Sequence, residues 1–232
     1  MENSESEEDI PTKLEIQLSH HRQRYNWDCG VSCIIMILPK AKRDHLLNNF
    51  NKVCAEENFN KSTWSIDLCY MLRRYEVKHL YCTITLGIHP GYHGQTFYEK
   101  ILQKDGERVM RRFKEAAGIG IKISQKSISC HDLVQHLAFS GPVILLTDAS
   151  LLQCDVCKLN RLTSELRSCL PWTTNYTGHY IVLCGYNLGS KKFLYHNPSF
   201  KKRICMMSFT SLDEARCSYG TDEDAILIYS NT

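Results

Sequence analysis

A chain of 232 residues with 28 Lys and Arg, 25 Asp and Glu, 43% hydrophobic and 23% charged residues has the profile of an ordinary soluble globular protein. That composition excludes collagen, coiled coil and bulk disorder, and the length allows one large domain that buries roughly 70% of its unfolded surface without a disulfide staple. The net charge of +3 hides an asymmetry, because residues 1–10 hold five acids (Glu2, Glu5, Glu7, Glu8, Asp9) and no base. We expect a disordered acidic tail over 1–12 and a single domain over 13–232. The remaining bases fall in small groups (Lys40, Lys42 and Arg43; Arg111 and Arg112; Lys191 and Lys192; Lys201 to Arg203), so nucleic-acid binding is not expected. Neither a basic start with an apolar run nor about 18 uninterrupted apolar residues occurs, so no secretory signal and no membrane partner are expected. The reading is a cytoplasmic protein, with the nucleus also open to it. Its twelve Cys are then reduced thiols, several of them (Cys33, Cys69, Cys82, Cys184) packed as small hydrophobes.

In chain order, residues 14–26 are polar and aromatic without a clear period. Cys29 to Leu38 then turns apolar on every side of the helical wheel, which predicts a buried helix with Cys29 at its N-terminus and Pro39 as its stop. Residues 41–58 are helical in pattern. A further helix starts at Ser65 as N-cap, with Asp67 in its first turn and Ile66, Leu68, Cys69 and Leu72 inward. Val77 to Leu86 reads as a strand, Pro90, Gly91 and Gly94 as a loop, and about Phe97 to Ala117 as a helix carrying surface charges. Ser129 and Asp132 resemble a capping box for a short helix ended by Gly141-Pro142, followed by a buried strand Val143 to Thr147. Residues 149–177 are the least regular and read as an insertion.

The C-terminal part reads as a hairpin: Tyr180 to Tyr186, a turn, and Lys192 to His196, with a last strand over Ala225 to Tyr229. A five-residue loop from Tyr186 to Ser190 pairs Gly185 with Lys191, and continuing that register sets His179 directly opposite Asn197. A Cys at a helix N-terminus, a His at a strand start and an Asn beside that His form what a thiol nucleophile needs. The helix dipole and an imidazolium lower the thiol pKa toward neutral pH, and the amide holds the ring. Gln23, six residues before Cys29, offers a side-chain N–H for an oxyanion. Cys29 or His179 alone reads more simply as a packed core residue, and the company of all four favours an active-site arrangement. His196 falls on the other face of its strand, with a structural or rim role.

Gln23, Asp28-Cys29-Gly30, Cys33, Gly178-His179 and Asn197-Pro198 together resemble the papain-like superfamily, with the nearest motif match to bacteriocin leader peptidases. The resemblance implies an α+β papain-like cysteine protease fold, a helical half plus an antiparallel sheet with a cleft between, and the roles of nucleophile, base, orienting amide and oxyanion donor for Cys29, His179, Asn197 and Gln23. It also implies peptide or small acyl or amide substrates, further protein partners, and no required cofactor. Asn197 departs from the Asp common in leader peptidases. Over almost its whole length the chain also resembles the guanylyl cyclase domain-containing proteins of animals and plants, through YNWDCGVSC, WSIDLCYMLRRYEV, QTFY, GHYIVLCGYN, HNPSF and SYGTDEDAILIY. That name implies GTP with Mg or Mn, although no Walker loop occurs, and Asp222-Glu223-Asp224 reads as a polar turn rather than a metal pair. A catalytically silent interaction protein of the same fold is the third reading. Cys154, Cys157 and Cys169 offer three thiolates for a structural zinc, against reduced thiols in an insertion.

Overall fold

Apolar residues on every side leave the Cys29 segment no face for water, and the computed structural model, which describes residues 9–59, 62–89, 96–156 and 176–230, buries it as α1 (Cys29–Ile37). The helices α2 (Lys40–Asn48), α3 (Phe50–Glu56), α4 (Ser65–Arg74) and α5 (Thr96–Glu115) gather around it. The sheet comprises β1 (Lys13–Glu15), β2 (His79–Thr83), β3 (Lys122–Gln125), β4 (Val143–Asp148), β5 (Gly178–Asn187), β6 (Lys192–His196), β7 (Cys205–Ser208) and β8 (Ala225–Ile228). Its order is β3-β2-β8-β4-β5-β6-β7, with β1 pairing the far half of β5. The α+β division is the expected one. The sheet is mixed rather than wholly antiparallel, since β3 runs parallel to β2, and α6 (Cys130–Phe139) and α7 (Phe209–Arg216) cover its second face.

The central strand β5 explains the layering. Its Tyr180 and Val182 enter the core shared with α1, while Ile181 and Leu183 enter the core on the other face. A strand buried on both faces must be apolar at successive positions, and it is. Ser129 caps α6 as expected, its hydroxyl accepting from the Asp132 N–H at 3.1 Å while the Asp132 carboxylate accepts from the Ser129 N–H at 3.0 Å. The α4 start differs by one residue. Trp64 is the N-cap, its N–H donating to Asp67 at 3.0 Å, and Ser65 instead meets the Tyr180 hydroxyl at 2.9 Å. The segment read as one helix over 41–58 breaks at Asn49 into α2 and α3.

The expectation that α5 displays its charges on the surface is corrected at its C-terminal half. Asp105, Arg108 and Arg112 are buried around the fully buried Asp67 of α4. Arg108 donates to Asp67 at 2.9 Å and to Asp105 at 2.8 Å; Arg112 donates to Asp67 at 2.7 Å and to Glu57 at 2.8 Å. Arg112 also lies 4.5 Å from the ring centre of Tyr70. Carboxylates taken out of water need this many matched donors. Asp67→Asn leaves two buried guanidinium groups undercompensated and should lower unfolding stability by about 3–5 kcal/mol in urea titrations.

Candidate active site

Cys29 is the first residue of α1, and the residues around it explain how the helix start is held. The buried carboxylate of Asp28 accepts from the backbone N–H groups of Arg24 and Tyr25, each at 3.0 Å, which ties the Gln23–Trp27 loop to the helix. Gly30 allows the close approach to the sheet. A Cβ there would stand 2.7 Å from Leu68 Cδ1 and 3.0 Å from Tyr180 Cδ2. The Cys29 thiol lies against the backbone of Tyr180, the residue after His179, and its surroundings are mixed. Burial pushes its pKa up most strongly; the N–H groups of Tyr180 and Gly30 favour the thiolate, and the Asp28 charge opposes it. The net direction is upward, so the expected thiolate near neutral pH is corrected: burial outweighs the helix terminus, and the resting group is the thiol.

His179 is buried at the start of β5, and its Nε2 lies 2.9 Å from Asn197 Oδ1. The backbone N–H of Ser199 donates to the same Oδ1 at 2.9 Å, which identifies that atom as the amide oxygen. Nε2 therefore carries the ring proton and Nδ1 the lone pair. Burial lowers the His179 pKa, with the Asn197 bond opposing, so the imidazole is neutral at neutral pH. A buried neutral His loses stability for the fold as pH falls below its ordinary value of 6.5.

The pairing register differs from the one the turn suggested. Val182 opposes His196 and Leu183 opposes Tyr195, and a bulge at Cys184 then shifts the pairs to Gly185 with Leu194. Continued to the strand start, that register sets position 199, not Asn197, opposite His179. Because the slip is two residues, Asn197 keeps the face of His179 and reaches it diagonally. Ser199, which the sequence reading passed over inside the HNPSF motif, takes the opposed place. Its hydroxyl donates to Gln23 Oε1 at 2.9 Å and lies 3.5 Å from His179 Nε2. Gln23 Nε2 donates to the Tyr25 carbonyl at 2.8 Å, and the Gln23 N–H to the Pro198 carbonyl at 2.9 Å. Gln23, His179 and Asn197 are thus joined through Ser199, with Cys29 reached through the Tyr180 backbone.

The remaining candidates lie elsewhere. His196 is buried on the face opposite Asn197. Cys154 is buried in the second core, and Cys157 and Cys169 lie outside the described residues. Trp27 stacks on Tyr25 at 5.8 Å and packs against Phe50. Asp222 and Glu223 do form the turn before β8, both with positive φ, but Asp224 is buried rather than solvated. It accepts from the Tyr81 hydroxyl at 2.9 Å, with Ser65 and Thr83 also bonding it, and burial raises its pKa to about 7. A polar seam thus runs from Asp224 through Ser65 to Tyr180 beneath the thiol. Nothing in the local sequence marks it, since its members come from four elements.

The fold is α+β, with a helix-terminal thiol against the backbone of the strand whose first residues carry the His–Asn pair. The chain belongs to the family described as guanylylate cyclase, which matches residues 18–228. It is 34% identical over 221 residues, 94% of this chain and 78% of the other, to guanylyl cyclase 1 of Arabidopsis thaliana. A solved structure described as a C39-like peptidase from Bacillus anthracis aligns with 45% of this chain and 48% of its own at 19% identity and a TM-score of 0.30. Among the described residues no helix is long and apolar enough to cross a membrane.

Two measurements check this site. Asp224 has a raised folded pKa, so folding favours its protonated form and stability falls as pH rises from 3.8 to about 7, at most about 1.4 kcal/mol per pH unit. Asp224→Asn should flatten that part of a stability-against-pH curve. Gly30→Ala should cost about 1–3 kcal/mol through overpacking against Leu68 and Tyr180, read by urea unfolding.

Proposed function

We propose that the protein is a papain-like cysteine hydrolase or acyl transferase, with Cys29 as nucleophile, His179 as base, Asn197 as the orienting amide and Gln23 as oxyanion donor. The observation that supports this most is the Asn197–His179 hydrogen bond of 2.9 Å, continued by Ser199 to Gln23, at the start of the strand whose Tyr180 backbone faces the thiol. With Nε2–H held by Asn197, Nδ1 takes the Cys29 proton as sulfur attacks an acyl or amide carbon. The Cys29 N–H and the second N–H of Gln23 Nε2 stabilise the oxyanion. The imidazolium then protonates the leaving group, and water or another acceptor releases the acyl group from the thioester. Peptides, isopeptides and γ-glutamyl or other small acyl compounds fit this chemistry, which requires no cofactor. A structural zinc on Cys154, Cys157 and Cys169 remains a separate proposal.

The family description favours a second reading, guanylyl cyclase activity, which needs carboxylate-held Mg or Mn at GTP. The acidic run does not fit that role. Asp224 is buried under hydroxyls, Asp222 accepts from the Thr85 hydroxyl at 3.0 Å and Glu223 from Ser127. Among the described residues no group of three His, Cys, Asp or Glu is placed to hold a metal ion. A silent interaction protein is the reading left if neither activity exists.

The test uses p-nitrophenyl acetate with intact-mass detection. The wild-type chain should release p-nitrophenolate and carry an acetyl group on Cys29; Cys29→Ala should abolish both, and His179→Ala should slow acylation about 10²-fold or more. Acylation at an unchanged rate in Cys29→Ala would overturn the proposal, and cyclic GMP formation from GTP and Mn by that same variant would support the cyclase reading. Because burial raises the thiol, iodoacetamide alkylation of Cys29 should keep accelerating as pH rises beyond neutrality rather than level off below it.

A further inference from the structure

On the face of β6 away from Asn197, the rings of half-buried His20 and buried His196 line a cavity of about 350 Å³. They meet nitrogen to nitrogen, with His20 Nδ1 3.3 Å from His196 Nδ1 and the ring planes tilted by 52°. Both outer nitrogens belong to the backbone. His20 Nε2 lies 3.0 Å from the Phe200 carbonyl, an atom that only accepts, so this nitrogen carries a proton. The His196 ring bonds the Arg203 backbone, and with its Nδ1 turned to His20 the donor is its Nε2. An uncharged ring protonated at Nε2 presents a lone pair from Nδ1. Burial, and after it His20, lowers the His196 pKa, which keeps that ring uncharged at neutral pH. Two uncharged rings in these tautomers set lone pair against lone pair, a repulsive contact until an electron-pair acceptor stands between them.

The separation distinguishes a proton from a metal ion as that acceptor. Charge-assisted hydrogen bonds from nitrogen close to about 2.7–2.9 Å. Two zinc–nitrogen bonds of about 2.0–2.1 Å at a tetrahedral angle span about 3.3–3.4 Å, whereas coordination at a right angle brings the nitrogens to about 2.8–3.0 Å. The observed 3.3 Å is the tetrahedral span. Backbone carbonyls on both outer N–H groups are the arrangement that fixes the tautomer and orientation of metal-ligating histidines. Glu15, the acidic side chain that lines the cavity, accepts from the Gln17 amide at 2.7 Å, and its charge reaches His196. Exposed Lys202 and the Arg203 guanidinium, 4.3 Å from the ring centre of Phe200, oppose a cation there.

We infer that His20 and His196 bind a zinc ion between their Nδ1 atoms, with solvent from the cavity completing a tetrahedron. Among the described residues no group of three His, Cys, Asp or Glu is placed to hold a metal, so the protein supplies two ligands and the site is open and exchangeable rather than a closed structural one. Imidazole nitrogens select against magnesium and calcium, which take oxygen ligands. The bound ion ties the segment that runs on to Gln23 to the strand end that runs on to Asn197. Its binding does not depend on the catalytic proposal.

The experiment is isothermal titration of the full chain, under reducing conditions, with zinc chloride and with magnesium chloride. Saturable zinc binding that survives the combined Cys154→Ser, Cys157→Ser and Cys169→Ser substitutions is expected, with no saturable binding of magnesium. In that background His20→Gln should weaken zinc at least about tenfold, with folding checked by circular dichroism. The exposed Glu15→Gln should weaken it a few-fold and the exposed Lys202→Gln should strengthen it a few-fold. Long-range proton–nitrogen spectra of the unaltered chain should show the Nδ1 resonances of His20 and His196 shifting together on zinc addition, a readout that needs no variant to fold. Zinc binding that disappears with the three serine substitutions, unchanged affinity in folded His20→Gln, or unmoved Nδ1 resonances at saturating zinc each overturn the site. Magnesium binding as tight as that of zinc overturns the assignment of the metal.

Discussion

The contact of α1 with β5 is the constraint on which the rest of the site depends. A helix that is apolar all round must be enclosed, and only a residue without a side chain at position 30 lets its first turn come down on Tyr180 and Leu68. That approach places the Cys29 sulfur against the strand start that carries His179. The Asp28 carboxylate, facing backward onto two backbone N–H groups, extends the same anchoring to the loop that holds Gln23. A thiol, an imidazole and two amides from separate parts of the chain are therefore fixed by one packing event and its flanking hydrogen bonds.

Two buried carboxylates support that contact from beneath in different ways. Asp67 is matched by two guanidinium groups and a backbone N–H, so its charge is compensated and binds α3, α4 and α5 into one unit. Asp224 is bonded by the hydroxyls of Tyr81, Ser65 and Thr83, and burial lifts its pKa to about 7. Exchanging either for an apolar group of similar volume need not destabilise a fold, so their value lies in specifying which elements meet rather than in net stability. Asp224, through Ser65 and Tyr180, extends this specification to the floor under Cys29.

The family description and the geometry point to different chemistry. A cyclase asks for exposed carboxylates that can share a metal, whereas the acidic residues before β8 are spent on the turn and on the buried seam. The thiol and imidazole at the start of β5 are, in contrast, groups of the kind that the proposed acyl transfer would use. A fold shared across a family does not fix the reaction, and the groups at the site carry the argument.

Local pattern alone determined the buried α1, the capped α6 and the strands β4, β5, β6 and β8, whereas the four site candidates rested on residue types, spacing and a family resemblance. Strand β1 was missed because three residues are too few to show alternation, and β3 and β7 because they are short and half-exposed. The buried side of α5 was missed because Arg and Asp read as surface until their partners in α3 and α4 are known. The hairpin register differed because the observed turn closes with Asn187 opposite Lys192, three residues from the expected pairing, and the bulge at Cys184 reduces the slip to two; an even slip preserves the face, so the His179–Asn197 pairing survived. Sequence thus determined the local elements and the shared face of His179 and Asn197; tertiary structure decided which buried charges meet and pushed the pKa values of Cys29 and Asp224 up, because burial is a property of the assembled core and no local pattern encodes it.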